Sequence, residues 1–141
     1  MIIMDMSFRD LGLDESVLNA VIAKGFEEPT PIQVLAIPRL LNGDANVIAK
    51  ARTGTGKTAA YGLPLVQELK EAREKPRALV LVPTRELALQ VALEIESFKQ
   101  GSFPRVTTVY GGASIVEQLR NLKRGCEIVV GTPGRVIDHL E

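Results

Sequence analysis

Ala51-Arg52-Thr53-Gly54-Thr55-Gly56-Lys57-Thr58 follows a short apolar run, Val47–Ala49, and precedes a stretch of helical character. Its glycines can take backbone angles closed to other residues. Successive N–H groups can therefore turn inward around phosphate oxygens, at the positive end of the helix that comes next. Lys57 then reaches the outer phosphates of a nucleotide, and the Thr58 hydroxyl is placed for magnesium. Ala51 stands where the general pattern has its first glycine, which a residue with negative φ tolerates. An ordinary glycine-rich turn is the competing reading. The strand before it, the spacing, the lysine and the threonine argue together against that reading.

Downstream the chain repeats the same rhythm. Apolar runs at Ala78–Val82, Val106–Tyr110 and Ile128–Val130 are each followed by a turn and a helical stretch. With Val47–Ala49 this alternation predicts an α/β fold, a parallel sheet flanked by helices on both faces and joined by right-handed crossovers. Ligands in such folds bind at the carboxyl ends of the strands. The unusual loops fall there: Ala51–Gly56, Pro83-Thr84-Arg85, Gly111-Gly112 and Thr132-Pro133-Gly134-Arg135.

Upstream, Val17, Leu18, Val21 and Ile22 keep a helical spacing, with Asp14 suited to the N-cap and Gly25 to the residue beyond the end. A second helix is predicted from Thr30-Pro31 to Leu41, with a kink at Pro38 and a stop at Gly43. At its start, Thr30-x-x-Gln33 is a capping box, in which the glutamine side chain bonds back to the Thr30 N–H. The same glutamine has a second reading. Adenine offers a donor beside an acceptor and a carboxamide complements both, whereas guanine presents two acceptors there. Spacing leaves both readings open. Phe26, with Phe8, would give a base an aromatic face.

Arg85 and Arg135 stand in first turns of predicted helices, where a cation opposes the helix dipole, and Gly134 adds a propensity cost. Anions in front of them would make sense of both, since free N–H groups at helix starts are phosphate sites. Solvated surface arginines, or arginines paired with a neighbouring carboxylate, are the alternative.

Composition narrows the classes. With 141 residues, 45% apolar and 24% charged, the chain has the profile of one globular domain. Lysine plus arginine and aspartate plus glutamate both total 17, so any nucleic-acid binding must come from local placement of charge. One cysteine, Cys126, and one histidine, His139, leave neither an internal disulfide nor a zinc ligand set. Both read as structural, Cys126 as a buried residue on a strand. The chain carries no basic leader and no apolar run of membrane-spanning length, so the expectation is a cytoplasmic protein without a membrane partner.

The motifs together resemble the DEAD-box RNA helicases. Phe8 with Gly25-Phe26-x-x-Pro29-Thr30-Pro31-Ile32-Gln33 is similar to the Q motif, and Ala51-x-Thr53-Gly54-x-Gly56-Lys57-Thr58 to motif I. Pro83-Thr84-Arg85-Glu86-Leu87-Ala88 is similar to motif Ia. Gly111-Gly112 and Thr132-Pro133-Gly134-Arg135 follow in family order. The resemblance implies a RecA-like P-loop NTPase domain over residues 1–141, with a Q-motif segment at 6–34, incomplete at the C-terminus. It implies ATP bound by Phe8, Phe26, Thr30, Gln33, Arg52, Thr53, Gly54, Thr55, Gly56, Lys57 and Thr58. Lys57 and Thr58 would serve catalysis, with magnesium on Thr58. RNA, single-stranded or duplex, would be gripped through its phosphates by Pro83, Thr84, Arg85, Gly111, Gly112, Thr132, Pro133, Gly134 and Arg135. Unwinding in this family closes a second RecA-like domain of the same chain over ATP and RNA.

No strand end in this sequence carries the acidic residue that holds magnesium in P-loop enzymes. The expectation is therefore a piece of a longer helicase, one that binds adenine nucleotide without hydrolysing it. A P-loop kinase would account for Lys57 and Thr58 but not for Gln33, Arg85 or Arg135. A non-catalytic RNA-binding domain is the third reading.

Overall fold

The computed structural model describes residues 7–43, 56–71 and 75–140. Val47–Ala49 and the loop residues Arg52, Thr53, Gly54 and Thr55 lie outside the described residues. Two compact units divide the chain: Met1–Glu68 with Ser97–Gln100, and Leu69–Glu96 with Gly101–Glu141.

The first unit is helical where it is described. A 3-10 helix, Phe8–Leu11, opens it, capped by Ser7 and Asp10 in a reciprocal box. Four residues are too few for a periodic signal, and the sequence reading did not contain this turn. Helix α1 spans Glu15–Ala23. The Asp14 side chain accepts from Val17 N at its start, and Gly25 follows its end at φ +82°. Helix α2 spans Pro31–Asn42, runs through Pro38, and ends at Gly43 with φ +71°. Helix α3 spans Lys57–Glu68 and likewise contains a proline, Pro64. It packs against α1 and α2. The core of this unit includes Val17, Val21, Ile37, Leu63 and Phe98, each at most 1% exposed. Gln67 fastens the entry to α1, accepting from Asp14 N at 2.8 Å and donating to Gly12 O at 3.1 Å.

The second unit alternates strand and helix: β1 Ala78–Leu81, α4 Arg85–Ser97 (its last residue belongs to the first unit), β2 Val106–Val109, α5 Ile115–Arg124, β3 Ile128–Gly131 and α6 Pro133–Leu140. The three strands form one parallel sheet in the order β1-β3-β2, so the expected parallel sheet flanked by helices is the fold observed. Ala78 and Val106 both register with Ile128, while Leu81 and Val109 both register with Gly131. The unbroken apolar run of β3 explains its central place, since a strand paired on both sides in a parallel sheet is buried on both faces. All four of its residues are buried.

Gly131 is required by this packing. A methyl group there would stand 2.5 Å from Val109 Cγ2 and 2.7 Å from Val136 Cγ2. At the opposite end of β3, Glu127 is wholly buried. It accepts from the backbone and guanidinium of Arg105, the shortest contact being 2.6 Å at Nη2. Such a pair gains from charge and hydrogen bonding together.

Cys126 is buried as expected, but it precedes β3 instead of lying on it. Burial, the first cause, pushes its thiol pKa up, which suits an inert packing residue. No helix among the described residues is long and apolar enough to cross a membrane, and none of the described side chains form a cluster able to hold a metal ion.

Candidate functional site

Of the phosphate loop, Gly56, Lys57 and Thr58 are described. Gly56 sits at φ +85°, a left-handed angle open to glycine, and its carbonyl starts α3 by accepting from Ala60 N at 3.1 Å. Lys57 is exposed at the first position of the helix and Thr58 is half-buried beside it. The helix N-terminus therefore presents a cation and a hydroxyl together where backbone N–H groups are unpaired by the helix.

The Gln33 side chain meets this helix start. It is 3% exposed, and both ends of its carboxamide are engaged. Oε1 accepts from Thr30 N at 2.9 Å, and Nε2 donates to Gly56 O at 3.2 Å. The capping-box geometry is thus present. Its threonine half is loose, leaving Thr30 Oγ1 buried without a hydrogen-bond partner among the described residues. The bond to Gly56 was not legible in spacing, because it joins residues 23 positions apart.

Phe8 is 5% exposed and stacks on Phe26 at a centroid distance of 6.2 Å. Phe26, half-buried, also meets the edge of Phe98 and lies under the Lys24 ammonium, 5.6 Å away.

In the second unit the rim loops converge. Pro83, Thr84 and Arg85 are exposed, with the Thr84 hydroxyl capping α4 by accepting from Leu87 N at 3.2 Å. The Arg85 guanidinium stacks on Tyr110 at 5.1 Å, which brings it beside the glycine pair. A methyl group at Gly112, whose φ is +82°, would lie 3.9 Å from Arg85 Nη1. The turn after β3 begins with Thr132 N donating to Val109 O at 3.0 Å, so Thr132, Pro133 and Gly134 leave the sheet next to the strand that leads into Gly111. Pro133 and Gly134 are exposed.

Arg135 is held more tightly than a surface arginine. Its side chain is 14% exposed. Nη1 donates to Ala113 O at 3.1 Å and to Gln118 Oε1 at 3.0 Å, and Asp138 lies 3.6 Å from Nε. Gln118, at 6% exposure the one buried residue of α5, also donates from Nε2 to Tyr110 O at 3.0 Å. His139 Nε2 lies 3.1 Å from the same Gln118 oxygen. Because Arg135 can only donate, that oxygen is the acceptor for both, which puts the His139 proton on Nε2. Burial first, then the nearby Arg135 charge, holds the His139 pKa below its ordinary value.

The sequence reading did not single out Gln118 or Tyr110. Gln118 had a signal: it falls on the Ile115, Leu119, Leu122 stripe of α5, where an apolar residue belongs.

The DEAD/DEAH box helicase family model matches residues 30–141. The chain is 51% identical over 136 residues to the ATP-dependent RNA helicase DeaD of Haemophilus influenzae, covering 96% of this chain and 22% of that protein. It is 49% identical over 135 residues to a probable ATP-dependent RNA helicase of Methanocaldococcus jannaschii, covering 96% of this chain and 36% of that protein. Among solved structures, that of a DEAD box protein from the hyperthermophile Methanococcus jannaschii superposes with a TM-score of 0.91 at 46% identity, covering 98% of this chain and 38% of that one. The chain thus spans well under half the length of each of these relatives. On the match over residues 30–141, the chain belongs to the DEAD/DEAH box helicase family.

Proposed function

We propose that this chain is the nucleotide-binding part of an ATP-dependent RNA helicase, which couples ATP hydrolysis to local separation of RNA strands in the cytoplasm. The observation that carries the reading is the convergence of Arg85, Gly111-Gly112 and Thr132–Arg135 on one rim of the sheet, at the strand ends where ligands of parallel sheets bind. Exposed helix starts and a glycine turn beside two arginines suit a run of phosphates, read through the backbone and not through bases. A P-loop kinase has no use for that rim.

On the nucleotide side, Lys57 would meet the outer phosphates and Gln33 the adenine, with Phe26 against the base. The cap and the adenine contact are compatible, since Oε1 keeps a second lone pair and Nε2 a second hydrogen. Among the described residues of the loop, the Thr58 hydroxyl is the group that would hold magnesium, an ion that would bind mainly through substrate phosphates and would supply positive charge there.

The test is RNA-stimulated phosphate release by the longer protein that carries this chain. Turnover should vanish in Lys57→Ala, and single-stranded RNA binding should weaken in Arg85→Ala across all sequences, with a shallower dependence on salt. Turnover indifferent to RNA would favour the kinase reading. Residues 1–141 alone should show no RNA-stimulated release, because magnesium and water lack their acidic partners and the second RecA-like domain contributes nothing.

A further inference from the structure

Gln118 is a polar residue in an apolar place. It is the one buried side chain of α5, and three of its four hydrogen-bonding positions are filled. Its partners have a pattern. Nε2 holds the carbonyl of Tyr110, immediately before Gly111-Gly112, and Oε1 holds Arg135 Nη1. Arg135 Nη1 in turn holds the carbonyl of Ala113, immediately after the glycine pair. The turn is clamped at both ends by two side chains that are bonded to each other.

A glycine pair is the most conformationally free element a chain can contain, and fixing it costs more entropy than fixing any other residues. A turn left free would meet that cost on each binding event. One already held in its bound shape would not. The same bonds anchor one arm of the Arg135 guanidinium inward. Nη2 makes no hydrogen bond among the described residues and is not among the buried, unpartnered atoms.

We propose that Gln118 is a positioning residue for RNA: it fixes the Gly111-Gly112 turn and the Arg135 guanidinium as one preformed phosphate-binding element. The inference rests on the RNA reading of the rim given above. Gln118 touches no RNA itself and acts through Arg135 and the turn. Arg135 is thereby both a brace and, through its remaining arm, a phosphate contact.

The test uses the longer protein carrying this chain, with Gln118→Met, Arg135→Met and the double variant. Binding of a single-stranded homopolymer RNA is titrated over a range of salt, alongside adenosine nucleotide binding and thermal melting. Gln118→Met should weaken RNA binding about tenfold, the scale of losing buried hydrogen bonds. It should also flatten the plot of log affinity against log salt by about one unit, as Arg135→Met does. Nucleotide affinity should be unchanged. The double variant should bind no more weakly than Arg135→Met alone, since both remove one element.

Purely additive losses, or RNA binding and salt slope equal to the parent in Gln118→Met, would overturn the inference while leaving the RNA reading intact. A parent that binds no RNA would overturn both. Should Gln118→Met fail to fold, Gln118→Asn decides by the same cycle. It keeps a neutral amide but is one methylene too short to hold Tyr110 O and Arg135 Nη1 together, so RNA affinity should still fall and the salt slope flatten. Parent affinity and slope in Gln118→Asn would overturn the inference as well.

Discussion

Gln33 donates to the carbonyl oxygen of Gly56 over 3.2 Å, and a methyl group at Gly56 would stand 2.3 Å from the donating nitrogen. The Gln33 carboxamide thus touches the residue that opens α3, one position before Lys57. Its other end closes the cap of α2. A side chain with both duties links the start of one helix to the start of the other.

Gln33→Ala is expected to reduce stability by about 1 kcal/mol, the scale of a lost hydrogen bond or cap. It should also lower affinity for adenosine nucleotides more than for guanosine nucleotides. Calorimetric titration with both nucleotides, read beside thermal melting, separates the two roles. A lower melting temperature with an unchanged adenine-to-guanine ratio would leave Gln33 as a cap alone.

Gly134 has open space around its Cα and a φ outside the left-handed region. Gly134→Ala should therefore stabilise the protein by about 0.5–1 kcal/mol, because glycine in a helix carries that penalty relative to alanine. If its place on the rim serves close approach of a phosphate backbone, RNA affinity should fall while stability rises. Denaturant unfolding and RNA titration of the same variant test both signs, and a variant stabilised with full RNA affinity removes Gly134 from the binding surface.

Gly131 is the opposite case. Its added methyl group would collide with Val109 and Val136 side chains and come within 3.0 Å of Val109 O. Gly131→Ala is expected to destabilise by about 1–3 kcal/mol, the range for overpacking a close-packed interior. Comparing the urea midpoints of Gly131→Ala and Gly134→Ala is a direct check, since the substitution is the same and the expected signs differ.

His139 gives a pH dependence with a definite sign. Its pKa in the folded protein is held below its ordinary value, first by burial and then by Arg135, with Asp138 opposing. Well above pH 6.5, the ordinary value for the unfolded chain, the ring is neutral in both folded and unfolded chains and adds no pH dependence. Below it, the unfolded chain takes up the proton first, so stability falls until the lower folded pKa has been passed. The difference in unfolding free energy between parent and His139→Gln should therefore shift against the parent as pH drops through this window. A parallel pair of stability curves would show that the ring titrates freely.

Much of the fold was legible because its signals are local. Apolar runs punctuated by turns marked β1, β2 and β3 to within a residue. Asp14, Thr30, Gly25 and Gly43 marked helix ends through their own side chains or backbone freedom. The phosphate-loop and rim motifs were likewise contiguous stretches. The strand order β1-β3-β2 was not legible, because nothing in a strand's own residues names its neighbour.

The sequence by itself therefore determined the kind of fold, the family and the contiguous motifs that lie on the rim of the sheet. Tertiary structure decided which of those residues are exposed and what each one touches. Phe8 was read as an aromatic face and stacks on Phe26; Gln33 was read as cap or reader and also holds Gly56; Gln118 was not singled out and joins Tyr110, Arg135 and His139. The physical reason is range. Capping and helical periodicity act over three or four positions, whereas the bond from Gln118 to Tyr110 in one unit spans 8 positions and that from Gln33 to Gly56 in the other spans 23, and both exist only once the elements have packed.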